Sequence, residues 1–441
     1  MEIVVKVAQL ILSLSILVIL HEFGHFIFAK IFKTRVEKFY LFFNPGFSLF
    51  RFKKGETEYG MGWLPLGGYV KISGMIDESM DKEQMKKPPE PWEFRSKPAW
   101  QRLLIMLGGV TMNFILAILI YASVLFAWGE QYLPNDNVKY GIATDSLAQQ
   151  IGFQNGDRIL SVEGKQVKRF SDIPKTILLE KASNVTVERN GEVQQVHIPD
   201  SLFPKLLNDP QFISLRMPAV IGGFSENSPA KKAGLRPGDR IVGVNGQDVR
   251  FFDQLKGVLA DKKNQKISVT VEREEGETQT VELTTTPEGH IGFYVGNMNR
   301  YFQLEEKRYN FVAAIPAGIS KGVQTFQEYI KQLGLIFTPE TKAYKEVGGF
   351  ITIGKIFPGV WDWYAFWNLT AFLSIILAII NVLPIPALDG GHVMFLFYEI
   401  LSGQKPSDKF LEYAQIAGML ILLAILIYAN GNDIVKLFTN Q

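Results

Sequence analysis

Two histidines and a glutamate near the N-terminus have the spacing of a hydrolytic zinc motif. His21 and His25 lie four residues apart, and Glu22 directly follows the first histidine. On an α-helix, residues i and i+4 project from one face, so the two imidazoles can bind one zinc ion. The glutamate between them can then reach a water molecule on the metal and accept its proton. The spacing therefore predicts metal-assisted hydrolysis with Glu22 as the catalytic base.

A catalytic zinc site needs a third protein ligand, and two candidates follow a proline-containing segment far along the chain. Asp389 and His392 come soon after Pro384 and Pro386, with Gly390-Gly391 between the two candidates. Prolines break a helix and glycines permit a tight turn, and broken helices at membrane depth line buried polar sites. The spacing does not choose between Asp389 and His392. Asp389 could also simply cap a helix that begins after it.

Four apolar segments indicate a chain that crosses a membrane four times. Leu103–Trp128, Trp363–Leu388 and Tyr413–Asn432 contain no charged residue. Each is long enough to span, since about 20 apolar residues are needed to cross the ~30 Å hydrocarbon layer. Val7–Leu20 is too short alone and reaches that length only if the helix continues through the histidine motif. The motif would then lie inside the membrane, where ionisable groups are costly and mostly functional.

The composition excludes several other classes of chemistry. The 441 residues include no cysteine, which removes disulfides, thiol nucleophiles and cysteine-ligated metal sites. Lys and Arg number 46 against 44 Asp and Glu, so the net charge of +2 gives no reason to expect a nucleic acid partner. Apolar residues make up 47% and the mean hydropathy is +0.08, which is high for a soluble enzyme.

The distribution of positive charge predicts how the chain is oriented in the membrane. Residues 30–102 contain 14 Lys and Arg, which cluster near the ends of the first two spans. Positively charged loops stay on the cytoplasmic side. We therefore expect both termini and the long segment 129–360 to be extracytoplasmic, with the short loop 389–410 inside. His21 and Asp389 then both fall at cytoplasmic ends of their spans.

The long external segment contains a tandem repeat. Gly152–Ile159 recurs as Gly234–Ile241, and both copies contain Gly-Asp-Arg-Ile. The copies are separated by the length of a whole domain, which indicates a domain duplication and not a solenoid. The pattern of a short helix, a strand, a turn and a second helix resembles bacterial PDZ domains, which bind peptides by adding a strand to a sheet edge. Spacers or steric filters without a ligand are the alternative.

The two repeats differ at their C-terminal ends. The second ends in Ile291, Gly292 and Phe293, which resemble the glycine-containing PDZ loop that holds a peptide carboxylate through backbone N–H groups. The first ends near Phe212–Leu215 and has no glycine there. We therefore expect the second repeat to be the candidate peptide-binding unit.

The combination of motifs resembles the site-2 protease family of intramembrane zinc metalloproteases, in its regulator of sigma-E protease type. The resemblance extends over nearly the whole chain, from His-Glu-Phe-Gly-His through the Pro65–Lys71 segment to Asn-x-x-Pro-x-Pro-x-Leu-Asp-Gly-Gly. It implies one Zn²⁺ per chain, held by His21, His25 and Asp389. It also implies that the substrate backbone is contacted by four residues, namely Asn381, Pro384, Gly67 and Gly68.

The resemblance implies the fold: a polytopic α-helical membrane protein with four transmembrane helices, a re-entrant β-hairpin and two tandem extracytoplasmic PDZ domains. The hairpin strands, Tyr40–Phe52 and Glu58–Lys71, would offer an edge to an unwound substrate helix, and a peripheral cytoplasmic hairpin is the alternative. The expected domains are the first span at 1–32, the cytoplasmic loop and hairpin at 33–99, the second span at 100–129, PDZ domains at 130–215 and 216–297, a post-PDZ region at 298–360, the third span at 361–392, a cytoplasmic loop at 393–410, and the fourth span with a short tail at 411–441.

The post-PDZ region contains apolar residues at helical spacing over Ile315–Leu335. This spacing predicts an amphipathic helix, lying either at the outer membrane surface or against the PDZ repeats.

The resemblance also implies substrates and location. Single-pass membrane proteins in the bacterial inner membrane would be cleaved, such as an anti-sigma factor in envelope stress signalling and remnant signal peptides. A catalytically silent PDZ scaffold is the alternative, but it predicts a damaged zinc motif, and this motif is intact.

Overall fold

The computed structural model describes residues 2–75, 88–209, 211–273 and 276–439, which form two compact units. The helical unit combines the chain up to Gly129 with Arg308–Phe337 and the residues from Tyr344 onward. The inserted unit combines Glu130–Lys307 with Thr338–Ala343. Part of the loop predicted over 33–99, residues 76–87, lies outside the described residues.

The helices are described in chain order. They are α1 (Glu2–Ile31), α2 (Ala99–Trp128), α3 (Ser146–Ile151), α4 (Asp172–Leu179), α5 (Phe203–Asn208), α6 (Pro229–Lys232), α7 (Phe252–Leu259), α8 (Phe311–Ile336), α9 (Phe350–Lys355), α10 (Trp363–Val382), α11 (Asp389–Ser402) and α12 (Asp408–Thr439).

The strands are also numbered in chain order. They are β1 (Val36–Phe43), β2 (Phe50–Lys54), β3 (Thr57–Met61), β4 (Leu64–Ile72), β5 (Glu130–Tyr132), β6 (Ile142–Thr144), β7 (Arg158–Val162), β8 (Asn184–Arg189), β9 (Glu192–His197), β10 (Ile213–Leu215), β11 (Ile221–Phe224), β12 (Arg240–Val244), β13 (Gln247–Asp248), β14 (Lys266–Glu272), β15 (Thr278–Thr284), β16 (Phe293–Val295) and β17 (Glu305–Lys307).

Four helices of the helical unit, α1, α2, α10 and α12, are long and apolar enough to cross a membrane. The first extends through the histidine motif, as its length required. The third of these helices, α10, is shorter than predicted: it ends at Val382, whereas the prediction extended it to Leu388. Pro384 and Pro386 follow directly, and proline has no backbone N–H to continue the helical hydrogen-bond pattern.

Small and polar side chains hold these helices together. Gly24 of α1 faces Gly108 of α2 so closely that a Cβ on Gly24 would come within 2.2 Å of the Gly108 carbonyl oxygen. Such glycine contacts let helix backbones approach in an apolar solvent. Farther along, Thr370 of α10 donates to Ser13 of α1 at 3.1 Å, and both side chains are buried.

The segment predicted as a hairpin is a four-stranded sheet with the order β2-β3-β1-β4. β1 pairs with β3 in parallel and with β4 in antiparallel orientation, while β2 and β3 form a tight antiparallel hairpin at Gly55. Neither predicted strand is continuous: residues 44–49 separate β1 from β2 within Tyr40–Phe52, and residues 62–63 separate β3 from β4 within Glu58–Lys71. Within the described residues, β4 pairs only with β1, so no strand pairs with its outer edge.

The predicted amphipathic helix is present as α8, but neither predicted packing describes it. It runs antiparallel along α2: Phe311 contacts Phe126, Gly318 lies against Ala122, and Phe326 contacts Phe114. A Cβ on Gly318 would come within 2.6 Å of the Ala122 backbone nitrogen. The small residues on one face of α8 therefore allow it to pack along a membrane-spanning helix.

Each repeat of the inserted unit has its own apolar core. In the first core the sheet β7-β8-β9 packs with α4, and in the second the sheet β13-β12-β14-β15 packs with α7. The two repeats even share an irregularity, because the strand register shifts between Ile159 and Ser161 and again between Ile241 and Gly243. These two bulges are separated by the same distance along the chain as the two copies of the sequence repeat.

The aspartate of the repeated Gly-Asp-Arg-Ile motif has a structural role. Asp157 is 1% exposed, pairs with Arg189 at 2.7 Å and accepts a hydrogen bond from the Gln154 backbone at 2.8 Å. Asp239 is 3% exposed and pairs with Arg273 at 3.3 Å. Each buried carboxylate is thus both paired and hydrogen-bonded, as burial of a charge requires.

The ends of the inserted unit meet in a short ladder. β5 pairs in antiparallel orientation with β17, with Glu130 opposite Lys307 and Tyr132 opposite Glu305. Arg169 fixes this ladder to the first repeat through two bonds to the Glu130 carboxylate, at 2.6 and 2.7 Å. The segment Glu130–Lys307 therefore begins and ends at one place.

Candidate functional site

Helix α1 and the first residue of α11 bring the predicted ligands together. The Nε2 atoms of His21 and His25 are 3.3 Å apart, and Asp389 Oδ2 is 3.2 Å from the first and 3.3 Å from the second. Both histidines are buried. Within the described residues these are the three side chains that could hold one metal ion. The structure thus brings Asp389, from near the C-terminus, to two histidines from near the N-terminus.

The arrangement fits zinc geometrically. Zinc binds nitrogen and oxygen ligands at about 2.0–2.1 Å with tetrahedral angles, so neighbouring ligand atoms lie about 3.3 Å apart. The three observed separations form one face of such a tetrahedron and leave the fourth position open. Asp389 Oδ2 is also buried without a hydrogen-bond donor in the described part of the chain, which is expected of an atom reserved for a cation.

Two features of α2 accommodate and orient the imidazoles. A Cβ on Gly109 would come within 2.5 Å of His25 Nε2 and 2.6 Å of His21 Cε1, so only glycine leaves room for both rings. His25 Nδ1 lies 2.9 Å from the Ile105 carbonyl oxygen. Because a carbonyl only accepts, Nδ1 carries the proton and Nε2 presents its lone pair to the ligand set.

Asp389 is positioned by the turn that joins α10 to α11. A Cβ on Gly390 would overlap the Leu383 carbonyl oxygen at 2.2 Å, so the turn requires glycine there. Ala387 has a positive φ of 79°, a conformation that non-glycine residues rarely adopt. Its N–H donates to the Gln415 side chain of α12 at 3.2 Å. Helix α12 therefore supports the turn that carries the predicted third ligand.

Glu22 faces β4 across a cavity of about 360 Å³ lined by the three ligands and by residues 68–72. The Val70 backbone N–H is hydrogen-bonded to the Glu22 carboxylate. Gly68 permits the close approach, because a Cβ there would lie 2.6 Å from Val18 Cγ1 of α1. A carboxylate, the predicted metal ligands and the outer edge of a sheet thus share one cavity.

A chain of hydrogen bonds keeps the sheet rigid beside the cavity. Tyr69 donates to Asn44 at 3.0 Å, and on the same sheet Tyr40 donates to Glu58 at 2.7 Å. The two tyrosine rings stack with centroids 5.3 Å apart. Burial raises the pKa of Tyr69 to about 12, so it remains a neutral hydrogen-bond donor at physiological pH.

The predicted substrate-binding residues lie at different distances from the three predicted ligands. Asn381 lies beside the ligands, with its amide nitrogen 3.4 Å from His21 Nε2. Gly68 lines the cavity, whereas Gly67 packs against the Phe43 ring on the neighbouring strand. Pro384 lies in the turn before α11. His392 lines the same cavity but is not within the ligand group.

The loop predicted to hold a peptide lies in the second repeat. Ile291 is buried, Gly292 has a φ of +76° and Phe293 begins β16. In the described part of the chain β16 pairs only with β11, and Phe293 contacts Phe252 of α7 at 5.8 Å between ring centroids. The equivalent segment of the first repeat, Phe212–Leu215, contributes β10, which pairs with β6.

Sequence reasoning missed the residues that α2 and α12 contribute to the site. These are Gly109, Asn113, the Ile105 carbonyl and Gln415. Glycine and asparagine within an uncharged span were visible signals of close packing and of a buried polar contact. The identity of their partners depends on helix packing that the sequence pattern does not encode.

Four apolar helices, two histidines and a carboxylate around one point, and a second carboxylate beside them are the features of a membrane-bound metalloprotease. The comparisons agree with this class. The model of peptidase family M50 matches residues 9–425. The regulator of sigma E protease of Haemophilus influenzae is 27% identical over 98% of this chain and 99% of its own. Protease RseP of Yersinia pestis is 28% identical over 99% and 100%.

A candidate zinc metalloprotease of Borreliella burgdorferi is 30% identical over 90% of this chain and 91% of its own length. The chain therefore belongs to peptidase family M50. It is a zinc metalloendopeptidase and a polytopic membrane protein.

Proposed function

We propose that the protein cleaves peptide bonds within the transmembrane segments of single-pass membrane proteins. One observation carries the proposal: the ligand triangle, the Glu22 carboxylate and β4, the outer strand of its sheet, line the same cavity between helices of membrane-spanning character. An unwound substrate segment could pair with that edge and present its backbone to the site. A transmembrane helix hides its peptide bonds. Pairing with β4 would keep the substrate extended, so that a peptide bond is accessible for hydrolysis.

We assign the metal to His21, His25 and Asp389. Zinc bound there would supply a Lewis acid for the scissile carbonyl and lower the pKa of an attacking water. Glu22 accepts the proton of that water and later delivers it to the leaving amine nitrogen. The Val70 N–H holds the Glu22 carboxylate in place for both transfers. Asn381, beside His21, is placed to bind the extended substrate backbone.

We propose the orientation, the substrates and the cellular role from the sequence and the relatives. The positive charges of residues 30–102 support a cytoplasmic-side active site in the bacterial inner membrane, with both termini and the inserted unit outside. The name of the Haemophilus relative supports a role in the regulation of sigma E, and the family resemblance adds an anti-sigma factor as one substrate in envelope stress signalling. Remnant signal peptides are a second substrate class. The two repeats would be PDZ domains, and the second would hold a peptide at Ile291–Phe293.

A catalytically silent PDZ scaffold is the second candidate function. The strand edge of β16 beside α7 favours peptide binding in the inserted unit. The scaffold does not, however, account for a general-base candidate that is held by β4 next to three converging ligand atoms.

The Glu22→Gln variant tests the proposal. Gln keeps the shape and the Val70 contact but does not accept the proton, so cleavage of a single-pass model substrate should fall by about 10²–10⁴-fold. Zinc content, measured by elemental analysis of the purified protein, should stay at one per chain. Glu2→Gln, at the start of the same helix, is the matched control and should cleave normally. Near-normal cleavage by Glu22→Gln would exclude the general-base role, and an inactive wild-type protein would favour the scaffold.

A further inference from the structure

A fully buried asparagine lies behind the first histidine. Asn113 of α2 is 0% exposed, and its side-chain amide lies 3.1 Å from His21 Nδ1, the ring nitrogen that faces away from the ligand set. With the amide nitrogen toward the ring, Asn113 Oδ1 is buried without a hydrogen-bond partner among the described residues. An unsatisfied buried oxygen is unfavourable and requires an explanation.

The metal chemistry decides which end of the amide must face the ring. His21 Nε2 can bind a metal only through its lone pair, so a neutral His21 must carry its proton on Nδ1. A proton on Nδ1 needs an acceptor, and an amide nitrogen is not one. A flip of the amide group exchanges oxygen and nitrogen without changing the shape of the side chain. It brings Oδ1 to the ring proton and moves the amide nitrogen to the position that the oxygen had, so the case for the flip rests on the proton of Nδ1.

The second histidine provides an internal comparison. His25 Nδ1 already faces an acceptor, the Ile105 carbonyl oxygen, at 2.9 Å. Ile105 and Asn113 lie two turns apart on α2, with Gly109 midway between them and against both rings. One face of α2 therefore offers an acceptor, a space and a second polar group at intervals of four residues, which is the spacing of His21 and His25 on α1.

We propose that Asn113 is a positioning residue whose Oδ1 accepts a hydrogen bond from His21 Nδ1–H and so fixes this histidine as an Nε2 zinc ligand. The inference rests on the proposed zinc site. The asparagine is itself held in place, because Ser374 of α10 donates to the Asn113 backbone carbonyl at 2.8 Å. Partners of this kind orient metal-bound imidazoles and strengthen metal binding.

The test compares two substitutions of Asn113 in the full-length protein. Asn113→Asp keeps an oxygen acceptor of the same shape, and Asn113→Leu keeps the volume without an acceptor. Zinc affinity is measured by competition with a chromogenic chelator in detergent. We expect Asn113→Leu to bind zinc about 10–100-fold more weakly and Asn113→Asp to bind it at least as tightly as the wild type. As a control, Thr370→Val removes a buried hydroxyl contact between α10 and α1 and should leave zinc affinity unchanged.

The order of the two variants separates this role from a packing role. A residue needed only for packing or as a donor would tolerate Leu better than a buried carboxylate. Wild-type zinc affinity in Asn113→Leu, or weaker binding in Asn113→Asp than in Asn113→Leu, would overturn the proposal. If Asn113→Leu does not fold, Asn113→Ala replaces it. Full zinc occupancy in His25→Ala would instead refute the proposed ligand set, whatever the Asn113 variants do.

Discussion

Individual side chains around the ligands have few alternative arrangements. The two imidazoles are confined by Gly109, the Glu22 carboxylate is held by a backbone N–H of β4, and Asp389 begins a helix immediately after a strained turn. Groups of this kind are expensive to bury without partners. Burial of these polar groups in apolar surroundings costs free energy, and a cation bound by the ligand atoms offsets that cost.

The third ligand can be tested at this scale. Asp389→Asn keeps the shape of the side chain but removes the negative charge, so zinc content and cleavage should both fall. Elemental analysis of the purified variant gives the zinc content. His392→Ala is the control, because His392 lines the cavity without joining the ligand group, and it should keep its zinc. The opposite pattern, with zinc retained in Asp389→Asn and lost in His392→Ala, would transfer the ligand role to His392.

Helix α12 acts on the site as an element. Its Gly418 lies so close to the turn before α11 that a Cβ would come within 1.7 Å of the Pro386 carbonyl oxygen. Gly418→Ala should therefore displace the turn and with it Asp389. A displacement of about 1 Å can lower a catalysed rate by roughly 10²-fold.

Gly431 of the same helix supplies a matched control. Nothing lies within 4 Å of the position its Cβ would occupy, so Gly431→Ala should cleave the model substrate at the wild-type rate. Equal rates for the two alanine variants would show that α12 does not support the turn.

The elements differ in how far the sequence predicts them. Long uncharged runs define the spans, and the His21–His25 spacing defines a helical metal-binding face, because both signals are local. The four-stranded sheet was predicted as a hairpin, because the local pattern presents β1 and β2 as one strand and β3 and β4 as another, and it contains no sign of the parallel pairing of β1 with β3. The contacts of Asn113 and Gln415 depend on how helices pack, which no short window of sequence contains. The choice of Asp389 over His392 came from the family resemblance and not from spacing.

For the molecule as a whole, we predict that the inserted unit excludes large substrates and is dispensable for chemistry. The orientation proposed from the positive charges puts it on the side opposite the active site. Replacing residues 130–307 with a short flexible linker should let the enzyme cleave full-length substrates that the wild type rejects. Shortened substrates should be cleaved at similar rates by both. The measurement is cleavage of paired long and short substrates by enzyme of verified zinc content. Loss of cleavage of the short substrate in a zinc-loaded variant would make the unit a recruiter instead.

The ladder between β5 and β17 also affects how the chain folds. Until those strands meet, the whole inserted unit separates α2 from α8 along the chain, and afterwards the effective connection is very short. Loop-closure entropy grows as about (3/2)RT ln n, so shortening a loop from about 180 to about 10 residues lowers its cost by about 2.5 kcal/mol. Once the ladder has formed, the contact between α2 and α8 resembles a contact within a helical hairpin, although the two helices are far apart in sequence.

Arg169→Leu removes the side chain that fixes Glu130 and should slow the appearance of protease-resistant enzyme during refolding, while the zinc affinity of the folded protein stays unchanged. An unchanged refolding rate would mean that α2 and α8 find each other without help. A slower rate would mean that the inserted unit sets the pace at which the membrane-spanning helices assemble.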